Sequence, residues 1–193
     1  MLAFIGLGNI GDVYANTKHN AGFWAIDEFA RRNNVIFQPG EGDFIFSYIK
    51  KNKTLLIKPT TGMNKSGNAV KAIINKWGLD SSEIIIVLDD VDLPLGSIRI
   101  RPKGGDGCHR GLENIIYQLK TDKFPRIRLG IATDEKMRPS EQYVLKPFSQ
   151  DKRNEAREMI QRCSDIFQSY IVNGIDRTMN QCNSIKRRNI KDG

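Results

Sequence analysis

Four polar residues of this sequence have side chains that could together carry out a hydrolysis: Asn9, His19, Asn64 and Asp89. A histidine can act as the base that activates water, a carboxylate can orient that histidine, and asparagine amides can hold a carbonyl group. This chemistry needs no metal, no cofactor and no nucleophilic side chain. The four residues follow three apolar runs with the composition of strands, at residues 2–5, 54–57 and 84–88. Residues beyond the carboxyl ends of strands converge in open α/β sheets, so we expect them to form one site.

The elements that must position these residues follow from the apolar patterns. Strands are predicted near residues 2–6, 44–50, 54–59, 84–88, 97–101 and 127–131, and helices near 20–33, 66–77, 109–119 and 151–173. Residues 44–59 resemble a hairpin that turns at residues 51–53, so the sheet should be mixed. We predict one α/β domain over residues 1–193, a mixed β-sheet flanked by α-helices.

Two segments lack a clear apolar period. Residues 132–149 are predicted to form a long loop with the character of a lid, because loops of this length often cover or bind ligands. The residues from Ser184 onward carry several lysines and arginines and are predicted to form a mobile, basic tail.

The net charge of +8 and the pI of about 9.5 favour a polyanionic partner, either nucleic acid or an anionic membrane surface. The three cysteines are widely spaced and form no Cys-x-x-Cys pair, which argues against a disulfide framework and a zinc site. We find no secretory signal and no apolar stretch long enough to span a membrane. The expected compartment is therefore the cytoplasm.

Asp89 is the candidate partner of His19, because a carboxylate on one imidazole nitrogen fixes the tautomer and stabilises the imidazolium. Asp90 and Asp92 are its rivals, and Asp92 could instead stabilise a turn. A metal site is the weaker interpretation of this cluster, since the carboxylates are loosely spaced. Cys108, next to His109, is an alternative nucleophile, but Cys–His catalysis depends on spatial rather than sequential pairing.

Two glycine-rich segments suggest binding of phosphate groups. Residues 6–11 match the Gly-x-Gly-x-x-Gly dinucleotide fingerprint, but the polar residues that follow do not resemble the helix that this motif requires. Residues 95–111 carry alternating cations into a glycine-rich loop and a helix, so Arg99, Arg101 and Lys103 could follow a nucleic-acid backbone. The alternative is an edge strand that its charges protect from pairing.

Three motifs together resemble the bacterial-type peptidyl-tRNA hydrolases over essentially the whole chain. The family's Gly-Leu-x-Asn-Pro-Gly, Tyr and Thr-Arg-His-Asn-x-Gly correspond to residues 6–11, 14 and 17–22. Its Lys-Pro-x-Thr-x-Met-Asn-x-Ser-Gly corresponds to residues 58–67, and its Asp-Asp-x-Asp-Leu-Pro-x-Gly to residues 89–96. Three long motifs in the same order are a specific match.

This resemblance implies a monomeric enzyme that hydrolyses the ester between a peptide and the 3′ adenosine of tRNA. It implies that His19 activates water, that Asp89 keeps His19 basic, and that Asn9 and Asn64 bind carbonyl groups of the substrate. It also places Tyr14 near the tRNA terminus. Binding would combine backbone electrostatics with recognition of a single-stranded 3′ end.

The resemblance places Gly62, Met63, Asn64 and Arg110 in the substrate site, and the chain departs from the family pattern at two of these positions. Gly62 stands where the family usually has an aromatic residue, and Arg110 stands where it has asparagine. Arginine has five hydrogen-bond donors and no acceptor, so it cannot make the same hydrogen bonds as the asparagine amide, which has both. An RNA-binding protein of the same fold with little catalysis is therefore the alternative, and retention of His19 and Asp89 favours the enzyme.

Overall fold

The computed structural model describes the backbone of residues 1–188 and the side chains of residues 1–184. The strands are β1 (Leu2–Gly6), β2 (Gln38–Pro39), β3 (Phe44–Ile49), β4 (Thr54–Pro59), β5 (Ile84–Pro94), β6 (Ile98–Arg101) and β7 (Arg126–Ala132). The helices are α1 (Ala21–Arg32), α2 (Ser66–Trp77), α3 (Arg110–Leu119), α4 (Ser140–Val144) and α5 (Arg153–Arg188), with short 3-10 turns between several of these elements.

The seven strands form one mixed sheet in the order β2-β3-β4-β1-β5-β7-β6, which confirms the predicted fold class. β1 lies parallel to β4 and β5, and β5 lies parallel to β7. β3 and β4 form the predicted antiparallel hairpin, and β6 runs antiparallel to β7. The carboxyl ends of β1, β4, β5 and β7 therefore meet at the same edge of the sheet, where ligands bind in this class of fold.

Helices cover both faces of the sheet, because the strands bury apolar side chains in both directions. Alternate residues of a strand point to opposite faces. Phe4 thus packs with α1 and α5, whereas Ala3 and Ile5 pack with α2 and α3. The two cores hold the central strands rigidly, so the loops at their carboxyl ends are anchored to a firm frame.

The structure differs from the predicted elements in three places. β5 continues six residues beyond the apolar run, so Asp89 lies within the strand; backbone pairing with β7 continues through Asp90 and resumes at Pro94 after a register shift. The last helix does not end at residue 173: α5 is interrupted at Gly174, whose φ of 74° is left-handed, and then continues to Arg188. β2 was not predicted, because two residues are too few to show a pattern.

The predicted tail starts as the last turns of α5, and its final residues, 189–193, lie outside the described part of the chain. The segment between β7 and the 3-10 turn at Gln150 contains only the short helix α4, close to the predicted long loop. Among the described residues, no helix has the length and apolar character needed to cross a membrane.

Candidate active site

His19 and Asp89 lie in contact although seventy positions separate them. His19 belongs to a 3-10 turn, Lys18–Asn20, which leads from the β1 loop into α1, and Asp89 lies in the neighbouring strand β5. The His19 Nδ1 atom is 2.9 Å from the Asp89 Oδ1 atom. The adjacent positions of β1 and β5 bring the two residues to the same edge, so the predicted contact is present.

His109 makes a second contact with the same carboxylate oxygen. Its Nε2 atom lies 3.1 Å from Asp89 Oδ1, and its Nδ1 atom accepts the backbone N–H of Leu112 at 3.2 Å as the N-cap of α3. Because Nδ1 accepts, the proton of neutral His109 must be on Nε2, which donates to Asp89. His109 therefore orients the carboxylate and also anchors the first turn of α3.

Burial and hydrogen bonding set the protonation of this group. Burial of His19 lowers its pKa, but the Asp89 carboxylate and its hydrogen bond outweigh this effect, so the pKa of His19 lies above its ordinary value of 6.5. Burial of Asp89 raises its pKa, but the two imidazoles together hold the pKa of Asp89 below its ordinary range. Asp89 is thus ionised at neutral pH, and His19 is a stronger base than a free imidazole.

The other aspartates of the predicted motif are engaged elsewhere. Asp90 accepts a hydrogen bond of 3.0 Å from Arg128, and Asp92 accepts one of 2.9 Å from Arg138. Neither residue has a contact with His19 among the hydrogen bonds of the described side chains. The structure therefore selects Asp89 from the three candidates.

The ligand atoms of His19, Asp89 and His109 lie within 4.8 Å of one another, a separation that could hold a metal ion. Both nitrogen–oxygen distances, however, are those of direct hydrogen bonds. A proton therefore occupies the line between each imidazole and the carboxylate. This arrangement suits proton transfer better than metal coordination.

Asn9 is held so that its amide group can donate to a substrate. Its Oδ1 atom accepts the backbone N–H of Met63 at 2.9 Å. Asn20 clamps its backbone, accepting from Asn9 N at 2.8 Å and donating to Asn9 O at 3.0 Å. Because the oxygen of the Asn9 amide is already engaged, its NH₂ group is the part left to bind an acceptor such as a carbonyl oxygen.

A cavity of about 260 Å³ lies beside His19 and Asp89. The predicted site residues Asn9, Gly62, Met63, Asn64 and Arg110 all line it. Met63 is buried, with its sulfur packed against the start of α3, whereas Asn64, on the same 3-10 turn, is exposed. The side chain of Arg110 lies 3.6 Å from Glu141 of α4, across the opening.

Four other predicted contact residues lie outside this cavity. Tyr14 is partly exposed on the loop between β1 and α1. Arg99 and Arg101 lie on the edge strand β6, opposite Arg128 and Arg126 of β7, and Lys103 follows in the glycine-rich loop. These residues could contact only parts of a ligand that extend beyond the cavity.

The glycines of the apparent dinucleotide fingerprint have other reasons to be glycine. A Cβ at Gly6 would lie 2.6 Å from the side chain of Ile26, and a Cβ at Gly8 would lie 2.6 Å from the Phe23 ring, both in α1. The loop continues into a 3-10 turn, and α1 begins only at Ala21. A dinucleotide-binding helix opens within the glycine loop itself, whereas α1 begins ten residues after Gly11, so the structure does not support a dinucleotide site at residues 6–11.

Sequence reasoning missed the roles of His109 and Arg128. The signal for His109 is its position as the second of two histidines, directly before a predicted helix, where a side chain can cap the backbone. Arg128 lines the cavity and pairs with Asp90, but it lies within an ordinary strand pattern and gave no sign of this role.

Comparison with known proteins agrees with this geometry. The sequence model of the family described as Peptidyl-tRNA hydrolase matches residues 3–191 of the chain. Peptidyl-tRNA hydrolase of Persephonella marina is 41% identical over 182 residues, which cover 94% of this chain and 96% of the relative. The enzyme of the same name from Sulfurihydrogenibium sp. is 39% identical over 182 residues, with the same coverage of both chains.

The fold is also that of solved structures. The crystal structure of peptidyl-tRNA hydrolase from Acinetobacter baumannii superposes with a TM-score of 0.88 at 27% identity, covering 95% of each chain. A second structure, of peptidyl-tRNA hydrolase in complex with N-propanol, gives a TM-score of 0.88 at 28% identity, again over 95% of each chain. The family model matches nearly the whole chain, and relatives about 40% identical are aligned over 94% of it, so this chain belongs to the peptidyl-tRNA hydrolase family.

Proposed function

We propose that this protein hydrolyses the ester bond of peptidyl-tRNA, with His19 as the general base. The observation that carries the proposal is the hydrogen bond between His19 Nδ1 and buried Asp89 at the wall of an open cavity. This bond occupies one imidazole nitrogen and leaves Nε2 to accept a proton from water. The net rise in the pKa of His19 makes that transfer more favourable.

The reaction follows from these groups. Water gives a proton to His19 Nε2, and its oxygen forms a bond with the carbonyl carbon of the ester. The NH₂ group of Asn9 donates to the carbonyl oxygen as negative charge develops on it. The bond between that carbon and the ribose oxygen of the terminal adenosine then breaks, and the imidazolium returns its proton to the leaving ribose oxygen. Peptide and free tRNA are the products, and no cofactor takes part.

The walls of the cavity would hold the peptide side of the ester. Asn64 offers an exposed amide, Met63 contributes an apolar surface, and Gly62 leaves room beside them. Arg110, at the start of α3, adds donors at the opening. These contacts are made by groups on two separate elements, the 3-10 turn at Met63–Lys65 and α3, which suits a substrate that is a variable peptide rather than one small molecule.

The tRNA would lie outside the cavity along a basic surface. The basic residues on β6 and in the loop that follows it are Arg99, Arg101 and Lys103. The segment between residues 95 and 138 has ten lysines and arginines against five acidic residues. Phosphate groups of the acceptor backbone would bind these cations, and the single-stranded 3′ end would enter the cavity past Tyr14. We propose a monomer that acts in the cytoplasm without a membrane partner.

The deciding experiment measures peptide release from purified N-blocked aminoacyl-tRNA. We expect the wild-type protein to release peptide, and His19→Ala to lower the rate at least about 100-fold, the contribution of a general base. tRNA binding by the variant, measured in parallel, should remain. If the wild-type protein binds tRNA and releases no peptide, it is an RNA-binding protein on this fold and the proposal is wrong.

A further inference from the structure

Lys18, the residue before the proposed base, has a fully buried side chain. Lysine is almost never buried to this extent unless its charge is paired. Burial lowers the pKa of Lys18, and the nearby carboxylate of Glu135 opposes that effect. Something in the fold must therefore compensate an ammonium group that is withdrawn from water.

The compensation comes from a single segment of the chain, residues 133–149. The Lys18 ammonium donates to the carbonyl oxygen of Pro147 at 3.0 Å and to Glu135 at 3.4 Å. It also lies 4.1 Å from the centre of the Tyr143 ring and 5.3 Å from that of Phe148. Both distances are within the range of cation–π attraction.

The backbone of Lys18 makes a further contact with the same segment. Its N–H donates to the carbonyl oxygen of Lys146 at 3.1 Å. Tyr143 then connects the segment to the sheet, since its hydroxyl donates to Ile131 O of β7 at 2.5 Å. The 3-10 turn that holds His19 is thus attached to the segment 133–149 at Lys18 by both its backbone and its side chain.

The other side of this segment forms a wall of the cavity. Arg138, Ser140, Glu141, Val144 and Leu145 all line it. Lys18 and His19 are adjacent in the chain, but their side chains have different partners. Lys18 contacts the segment 133–149, whereas His19 contacts Asp89. The distance between the base and this wall is therefore set by a short stretch of backbone.

We propose that Lys18 is a positioning residue whose ammonium holds residues 133–149 against the His19 turn and so places the substrate-facing wall relative to the base. This inference rests on the proposed function for its effect on catalysis, but the attachment itself does not depend on it. If the segment moved away, the ammonium would lose the carbonyl, the carboxylate and both rings together. An uncharged side chain of the same length would have no such requirement.

Amide hydrogen exchange tests the attachment without any substrate. We expect Lys18→Met, which keeps the length and apolar packing of the side chain, to speed exchange in residues 140–148 about tenfold or more, since a charged hydrogen bond is lost. Lys18→Arg keeps a cationic donor and should restore slow exchange. Lys136→Met, at another exposed lysine of the same segment, is the matched control and should leave exchange unchanged.

Kinetics test whether the attachment matters for the reaction. A displaced wall weakens substrate binding, so Lys18→Met should raise KM for N-blocked aminoacyl-tRNA about tenfold and lower kcat less than about threefold. A loss of folded protein would instead lower the apparent kcat and leave KM unchanged. Lys18→Arg should return KM to within about threefold of the wild-type value.

Each result decides the proposal. Unchanged exchange in Lys18→Met overturns the attachment, and faster exchange with an unchanged KM overturns its role in placing the wall. If Lys18→Met does not fold, Glu135→Gln, which removes the charged partner of the ammonium from the segment and keeps its shape, carries the same two expectations in direction. Absence of hydrolysis by the wild-type protein would refute the proposed function, whereas the exchange measurements would still decide the attachment.

Discussion

Replacing Asp89 with asparagine tests the proposed catalytic pair most directly. The substitution keeps the shape of the side chain and an oxygen that can accept from His19 and His109, but it removes the buried charge. At 2.9 Å and an effective dielectric constant of about 20, the attraction between the carboxylate and an imidazolium at His19 is about 6 kcal/mol. This figure is an upper limit on what Asp89 contributes, because burial opposes the charge on His19.

A smaller estimate comes from the hydrogen bond alone. A hydrogen bond to a charged group contributes about 1.5–3 kcal/mol in proteins, and the upper end of this range is equivalent to a rate factor on the order of 100. We therefore expect Asp89→Asn to lower kcat/KM by about 100-fold to about 10,000-fold, the range of general-base catalysis. Single-turnover release of peptide from N-blocked aminoacyl-tRNA measures this value without interference from product release.

The pH dependence gives a second, independent readout. Activity requires neutral His19, so wild-type kcat/KM should rise with pH through an apparent pKa above 6.5. In Asp89→Asn the carboxylate charge no longer opposes the effect of burial, so the pKa of His19 and the inflection should move below 6.5. Asp92→Asn, at an exposed carboxylate of the same strand, is the matched control and should change neither quantity. A folded Asp89→Asn variant with wild-type kcat/KM and an unmoved inflection would refute the assigned roles.

Three further substitutions test other parts of the structure. His109→Ala removes the N-cap of α3 and one donor to the buried carboxylate, so we expect the free energy of unfolding in urea to fall by about 1–2 kcal/mol; an unchanged value would contradict the capping role. Gly22→Ala would place a Cβ 2.6 Å from backbone atoms of Leu7, so we expect the free energy of unfolding to fall by about 1–3 kcal/mol. A variant as stable as the wild type would show that α1 can shift to make room for the methyl group. Reversal of Arg99 and Arg101 to glutamate should weaken tRNA binding and flatten its dependence on salt. The same reversal of the exposed lysines at residues 50–51, near the opposite edge of the sheet, is the control and should have little effect. If tRNA affinity depended equally on salt in both variants, β6 would be only an edge strand that its charges protect from pairing.

Local sequence patterns predicted most of the elements, since each pattern reflects the burial of one segment. The spacing of apolar residues in α2 and the glycine that follows it predict the helix Ser66–Trp77 with both ends correct. The same reasoning failed at β5, because the strand continues through polar residues that are held by pairing with β7. It also failed after Gly174, where packing against β6 lets a second helical stretch form beyond a residue that ends the first.

The sequence by itself determined the fold class, the resemblance to a family and the residue types available for catalysis. The sequence placed His19 and an acidic candidate beyond the ends of two predicted strands. The carboxyl ends of strands in such a sheet meet at one edge, and this does not depend on the sequence of the loops that connect them. Only the tertiary structure decided that Asp89, rather than Asp90 or Asp92, meets His19, and that His109 shares its oxygen. It alone placed the ammonium of Lys18 among groups more than a hundred residues away. The physical reason is that a contact between side chains depends on strand order, register and the direction in which each residue points, and no local pattern encodes these over such distances.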